Sequence, residues 1–102
     1  MEQVNVIGLE NGVLKIALSG DIDLSNADAF YREVLNAYVG ASSDLLFDCA
    51  QLNFIDSTTL GTFVKILKRV KTDGRAMRLT NLQPKIKKLF VICALDKIIT
   101  LE

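Results

Sequence analysis

The stretch Phe54-Ile55-Asp56-Ser57-Thr58-Thr59-Leu60-Gly61 reads as the end of an apolar strand that passes through one carboxylate and three hydroxyls into an amphipathic helix. The helix is expected to run to about Thr72. Its apolar face carries Leu60, Phe63, Val64, Leu67 and Val70, its other face Lys65, Lys68, Arg69 and Thr72, and Gly74 is the natural stop. The first turn of a helix leaves backbone N–H groups without intrahelical partners and carries a partial positive charge, so it accommodates an anion. A hydroxyl placed there can take a phosphate without unfolding the chain.

Working outward, the hydrophobic pattern alternates between period two and period 3.6. Val4 to Leu9 and Val13 to Leu18 are apolar and β-branched, and Glu10-Asn11-Gly12 between them has hairpin-turn composition, so they are expected to pair antiparallel. Ser25 with Asp28 three residues on resembles a capping box, and a helix from Asn26 to about Val39 follows, ended by Gly40. Its apolar stripe is Ala27, Phe30, Tyr31, Val34, Leu35 and Tyr38. Leu45-Leu46-Phe47 is a continuous apolar run of the kind covered on both faces of a sheet, ending near Asp48 or Cys49. Met77 to Thr80 alternates like a strand. Asn81 to Pro84 restarts a helix that turns Ile86, Leu89, Phe90 and Cys93 inward, and Ile98 to Leu101 reads as a terminal strand. The order β-β-α-β-α-β-α-β predicts an α/β fold in one domain over residues 1–102: a mostly parallel sheet with an antiparallel edge strand and helices packed over it.

Composition excludes several functions. Acidic and basic side chains number 12 each, so no net field draws the chain to nucleic acid or an anionic bilayer. The longest apolar run, Leu89-Phe90-Val91-Ile92-Cys93-Ala94-Leu95, is far shorter than the roughly 20 residues of a membrane span. Met1-Glu2-Gln3-Val4 lacks the basic start and apolar core of a signal peptide, and a cytoplasmic location is the expectation. Cys49 and Cys93 sit in apolar surroundings and read as small buried residues, without metal-ligand spacing. The absence of histidine removes the usual general base and the commonest metal ligand, which argues against an enzyme.

Asp56 and Ser57 lie where a strand hands over to a helix at the carboxyl end of a parallel sheet, the place where α/β folds put their sites. A helix cap explains one of these oxygens. It does not explain four consecutive residues that each offer one, since Thr58 and Thr59 are poor first-turn residues on propensity. Asp21 and Asp23, at another strand exit, are either solvated turn acids or neighbours of Ser57. No Gly-rich phosphate loop accompanies them, so no nucleotide site and no cofactor is expected. Lys65, Lys68, Arg69 and Lys71 are either a solvated face or a surface that steers an acidic partner.

Gly20-Asp21-Ile22-Asp23 before a helix, Asn53 to Gly61, Lys71-Thr72-Asp73-Gly74 before a strand, and Ile86-Lys87-Lys88-Leu89-Phe90 in the last helix together resemble a STAS domain of the bacterial anti-sigma factor antagonist type. The resemblance covers nearly the whole chain. It implies that Ser57 is the phosphoacceptor of a cognate anti-sigma factor that is also a GHKL-type serine kinase. The unphosphorylated chain would bind that kinase and free a sigma factor, the phosphorylated chain would let go, and a serine phosphatase would restore it. Asp21, Asp23, Asp56, Thr58, Thr59, Leu60 and Gly61 are the implied partner-binding residues. Thr59 stands where such antagonists commonly have a small residue, and it adds a hydroxyl that could be modified. A monomer is expected, with weak dimerisation the alternative. The competing reading is a non-switching STAS module, serving as a scaffold in a stress-signalling assembly or as the cytoplasmic component of a lipid or anion transport system.

Overall fold

Strands β1 (Val4–Glu10) and β2 (Val13–Ile22) form an antiparallel hairpin with Glu10 opposite Val13. Asn11 and Gly12, the two residues of its turn, have φ of 53° and 77°, the double positive φ that fits the twist of a tight hairpin. The structure, a computed structural model, describes residues 1–102. From β2 the chain continues through α1 (Ala27–Ala41), β3 (Asp44–Ile55), α2 (Ser57–Thr72), β4 (Met77–Thr80), α3 (Pro84–Ile92), a 3₁₀ turn (Leu95–Lys97) and β5 (Thr100–Leu101). The five strands lie in the sheet in chain order, β1-β2-β3-β4-β5, with every pair after the first parallel. Right-handed crossovers that always step to the next strand in one direction put every helix on the same face.

This one-sided arrangement corrects the expectation that Leu45-Leu46-Phe47 is covered on both faces. Leu45 and Phe47 are fully buried, whereas Leu46 is half-buried among Lys15, Asp48 and Arg78 on the open face. The third strand is also longer than its alternation suggests. The parallel register with β2 runs from Val13–Asp44 to Ile22–Ile55 and shifts twice, so β3 contains two residues more than β2 over that span. At each shift the spacing of buried residues widens from two to three: Leu45, Phe47 and Cys49, then Leu52, then Ile55. Bulges of this kind break the period-two signal while the ladder continues.

One phenylalanine from each of α1, β3, α2 and α3 joins the helical layer to the sheet. Phe63 meets Phe30, Phe47 and Phe90 edge-on, with ring centroids 5.3, 5.6 and 5.5 Å apart, geometries favoured by the ring quadrupole. All four rings are fully buried. Stacking β2, β3, α1 and α2 around this centre fixes the positions of the loops at the carboxyl end of the sheet.

Several local expectations change. Helix α1 passes through Gly40 and ends at Ser42, which takes the left-handed φ of 50°. The Ser25–Asp28 capping box does not form: Asn26 is the N-cap and makes no side-chain cap bond, because Ser25 is turned back onto Asp23. In α2 the buried stripe includes Ile66 and Thr62, and Val64 is only half-buried. In α3 only Ile86 and Phe90 are buried; its other apolar residues, Leu89 among them, lie outside the single ridge that meets the sheet. Cys93 follows that short helix and is exposed, unlike Cys49, whose thiol is pushed up to about 12, chiefly by burial. The terminal strand is confined to Thr100–Leu101.

Candidate functional site

Strand β3 ends at Ile55 and α2 begins at Ser57, leaving Asp56 as the N-cap in extended conformation. Its carboxylate does two things. Oδ1 accepts the backbone N–H of Thr59 at 3.0 Å, one of the orphan donors of the first turn, and Oδ2 accepts the backbone N–H of Leu24 at 2.9 Å from the loop between β2 and α1. These bonds hold the Asp56 carboxyl below its ordinary range. The Thr59 N–H is the largest cause, the Leu24 N–H adds to it, and desolvation opposes it.

The β2–α1 loop lies beside this turn because β2 and β3 are adjacent and end together, with Asp21 opposite Phe54 and Ile22 opposite Ile55. Its shape is set by polar side chains. Asp23 Oδ1 accepts the N–H and the hydroxyl of Ser25, at 2.9 and 2.6 Å, while Asn26 Oδ1 accepts the Asp23 N–H and Asn26 Nδ2 donates to the Asp21 carbonyl. One oxygen of the Asp23 carboxylate is therefore occupied inside its own loop. No group of three or more His, Cys, Asp or Glu side chains is arranged to hold a metal ion.

The structure thus brings together Asp21, Asp23 and the Asp56-Ser57 turn. Ser57, Thr58 and Gly61 are exposed on the first turn and a half of α2. Thr59 and Leu60, expected at the contact surface, turn inward: Thr59 is fully buried and Leu60 is 7% exposed in the core. Helical geometry gives the reason, since Thr59 and Leu60 lie four and three residues before Phe63 and share its face. Two apolar residues that the reading of the sequence did not include among the contacts, Leu24 at 75% and Phe54 at 50% exposure, flank the turn. Leu24 carried a signal, as a large apolar residue in an otherwise polar loop; Phe54 carried none, since it keeps the period-two phase of the buried Leu52 and only the bulge between them turns it outward. Beyond Phe54 a shallow groove continues between the end of β3 and α3, lined by Asn53, Phe54, Ile86, Leu89 and the stem of Lys85.

The basic face of α2 is partly committed within the molecule. Lys65 lies over the Tyr31 ring, 4.4 Å from its centroid, and Arg69 pairs with Asp73 and lies over Tyr38. Lys68 and Lys71 are exposed. No helix is long and apolar enough to cross a membrane.

Comparison with known proteins agrees with this geometry. Residues 6–102 match the STAS domain family. The chain is 34% identical over 99 residues to the anti-sigma-B factor antagonist of Bacillus subtilis (strain 168), spanning 97% of this chain and 89% of that protein. The fold superposes with a TM-score of 0.81 on an anti-sigma factor antagonist from Mycobacterium paratuberculosis, at 22% identity over 96% of this chain and 82% of that one. It superposes with a TM-score of 0.74 on the phosphorylated form of the Bacillus cell fate determinant SpoIIAA, at 18% identity over 97% of this chain and 90% of that one. With its bulged, mixed sheet, one-sided helices and Asp-capped α2, the chain belongs to the STAS domain family, among the anti-sigma factor antagonists.

Proposed function

We propose that this chain is a phosphorylation-switched antagonist acting as one binding module over residues 1–102. Unphosphorylated, it binds a cognate anti-sigma factor that is also a GHKL-type serine kinase, and so releases a sigma factor. Phosphorylation of Ser57 ends that binding and a serine phosphatase restores it. The observation that carries this reading is an exposed Ser57 as the first residue of a helix whose cap is supplied by the preceding Asp56. The relative in Bacillus subtilis that bears the antagonist name, and the existence of SpoIIAA in a phosphorylated form, support it.

The physics of the switch follows from the surroundings of Ser57. A phosphoserine adds about −1.5 to −2 charge at neutral pH, and the N-terminus of α2 offsets part of it, so the fold is retained. The same group lies next to an ionised Asp56 and within a collar that exposes Leu24 and Phe54. A partner that covers this collar in the unphosphorylated state would have to desolvate a dianion without a counter-ion. That costs several kcal/mol, or about a hundredfold or more in affinity.

The test is to compare Ser57→Ala and Ser57→Asp. Ser57→Ala is expected to bind the kinase and resist modification, Ser57→Asp to bind at least about a hundredfold more weakly, and phosphorylation to leave Tm nearly unchanged. Equal binding by the two variants, with Ser57→Ala still modified at the wild-type rate, would overturn the assignment.

A further inference from the structure

Among the threonines of α2 that make side-chain hydrogen bonds, Thr62 and Thr72 donate their hydroxyls to Thr58 and Lys68, carbonyls of their own helix four residues back. Thr59 does not. Its hydroxyl donates to the carbonyl of Ile22, 37 positions earlier at the end of β2, and lies 3.1 Å from Asp56 Oδ1. Ile22 is the last residue of its strand and fully buried, so its carbonyl is enclosed where water cannot serve it. A valine would fill the space and leave that carbonyl unpartnered; a serine would keep the donor.

The Thr59 contact is one side of a closed ring. Ile22 leads directly into Asp23 and Leu24, the Leu24 N–H donates to Asp56, and Asp56 accepts the N–H of Thr59. Leu24 itself is 75% exposed and has no packing to fix it, so its place beside Ser57 is set by its backbone. A docking residue held in position before binding loses less conformational freedom when the partner arrives.

We infer that Thr59 is a positioning residue whose hydroxyl fastens the Leu24 loop to the first turn of α2, so that the loop and Ser57 are presented to the modifying kinase as one docking face. The functional half of this inference rests on the reading of Ser57 given above; the structural half rests on the hydrogen bonds alone. Thr59 is thus neither a second acceptor nor an obstacle to a partner.

Two measurements on Thr59→Val and Thr59→Ser test it: amide hydrogen exchange at Leu24 in the free protein, and KM and kcat for Ser57 phosphorylation by the cognate kinase with ATP. In Thr59→Val, exchange at Leu24 is expected to rise about tenfold, the factor corresponding to one buried hydrogen bond, and KM to rise by a similar factor with kcat within about twofold. Thr59→Ser is expected to restore both, and Thr62→Val to change neither. Unchanged exchange at Leu24 in Thr59→Val, or exchange that rises without any change in KM, would overturn the inference. If Thr59→Val fails to fold, Thr59→Ala takes its place under the same criteria. A wild-type chain that no kinase modifies at Ser57 would overturn the functional reading instead, and Leu24 exchange would still decide whether Thr59 holds the loop.

Discussion

At its N-terminus α2 is held to the β2–α1 loop by Asp56; at its C-terminus it is held to α1 itself by Asp73. The two aspartates use different partners. Asp56 accepts backbone N–H groups and leaves the neighbouring side chains Leu24, Phe54, Ser57 and Thr58 facing outward. Asp73 accepts the Tyr38 hydroxyl at 2.8 Å and the Arg69 Nε at 3.1 Å, and the guanidinium lies over the Tyr38 ring, 5.9 Å from its centroid. Side chains used as ligands are no longer available to a partner. A tie made through backbone leaves side chains free to be recognised, and the end of α2 that carries Ser57 is the end tied that way.

Leu24→Ala and Tyr38→Phe sharpen this contrast by separating binding from stability, and they have the largest expected effects. Leu24→Ala removes only exposed surface, so Tm is expected to stay within the scatter of ordinary surface substitutions while kinase binding, followed by calorimetry, weakens about tenfold or more. Tyr38→Phe should do the reverse: loss of one nearly buried hydroxyl costs about 1 kcal/mol, or roughly 4–8 °C in Tm for a domain of this size, with binding unchanged. A Tyr38→Phe chain that bound the kinase poorly would erase the distinction between the two ends.

Acid unfolding tests both ties together with a smaller effect. The Asp56 and Asp73 carboxyls are held below the ordinary value of 3.8, Asp73 first by the Tyr38 hydroxyl and then by Arg69. Asp48, on the open face, is lowered as well, first by the Ala50 N–H. A carboxyl with a depressed folded value takes up protons less readily folded than unfolded, so its contribution is complete above about pH 5 and is lost as pH falls through the folded value. Tm is expected to be flat from neutral pH to about 5 and to drop below about 4. Asp56→Asn and Asp73→Asn should each flatten that acid limb, and only Asp56→Asn should also weaken kinase binding.

The smallest expected effect concerns the start of α1. Ser25 reads as a helix cap, a role typically worth about 1 kcal/mol, but its hydroxyl is directed to Asp23 on an exposed loop. Ser25→Ala should therefore change stability by no more than about 0.5 kcal/mol, measured by urea denaturation.

Much of the fold was legible because local chemistry and global arrangement agree. The Asn11-Gly12 turn, the Pro84 helix start and the apolar stripes of α1 and α2 point to elements that the structure contains. Legibility failed where a signal depends on a neighbouring strand or helix. The second half of β3 was hidden because each bulge shifts the inward-facing residue by one position. Leu89 and Cys93 follow an apolar pattern that α3 is too short to bury. At the site, Asp56 and Ser57 were legible as a cap and an exposed hydroxyl and Leu24 as a lone apolar residue in a polar loop, whereas the place of Leu24 beside Ser57 was not, because it depends on a carboxylate 32 positions away.

The sequence by itself determined the order of elements, the Asp-Ser start of α2 and the absence of any histidine to do chemistry there, since these rest on residue identity and short-range periodicity. Only the tertiary structure decided that Thr59 faces inward and bonds the end of β2, and that Leu24 and Phe54 frame Ser57. The reason is geometric. Parallel neighbours β2 and β3 end at the same height, so residues far apart in the chain come within hydrogen-bond reach, and which face of the first turn meets the core is fixed by the Phe63 packing.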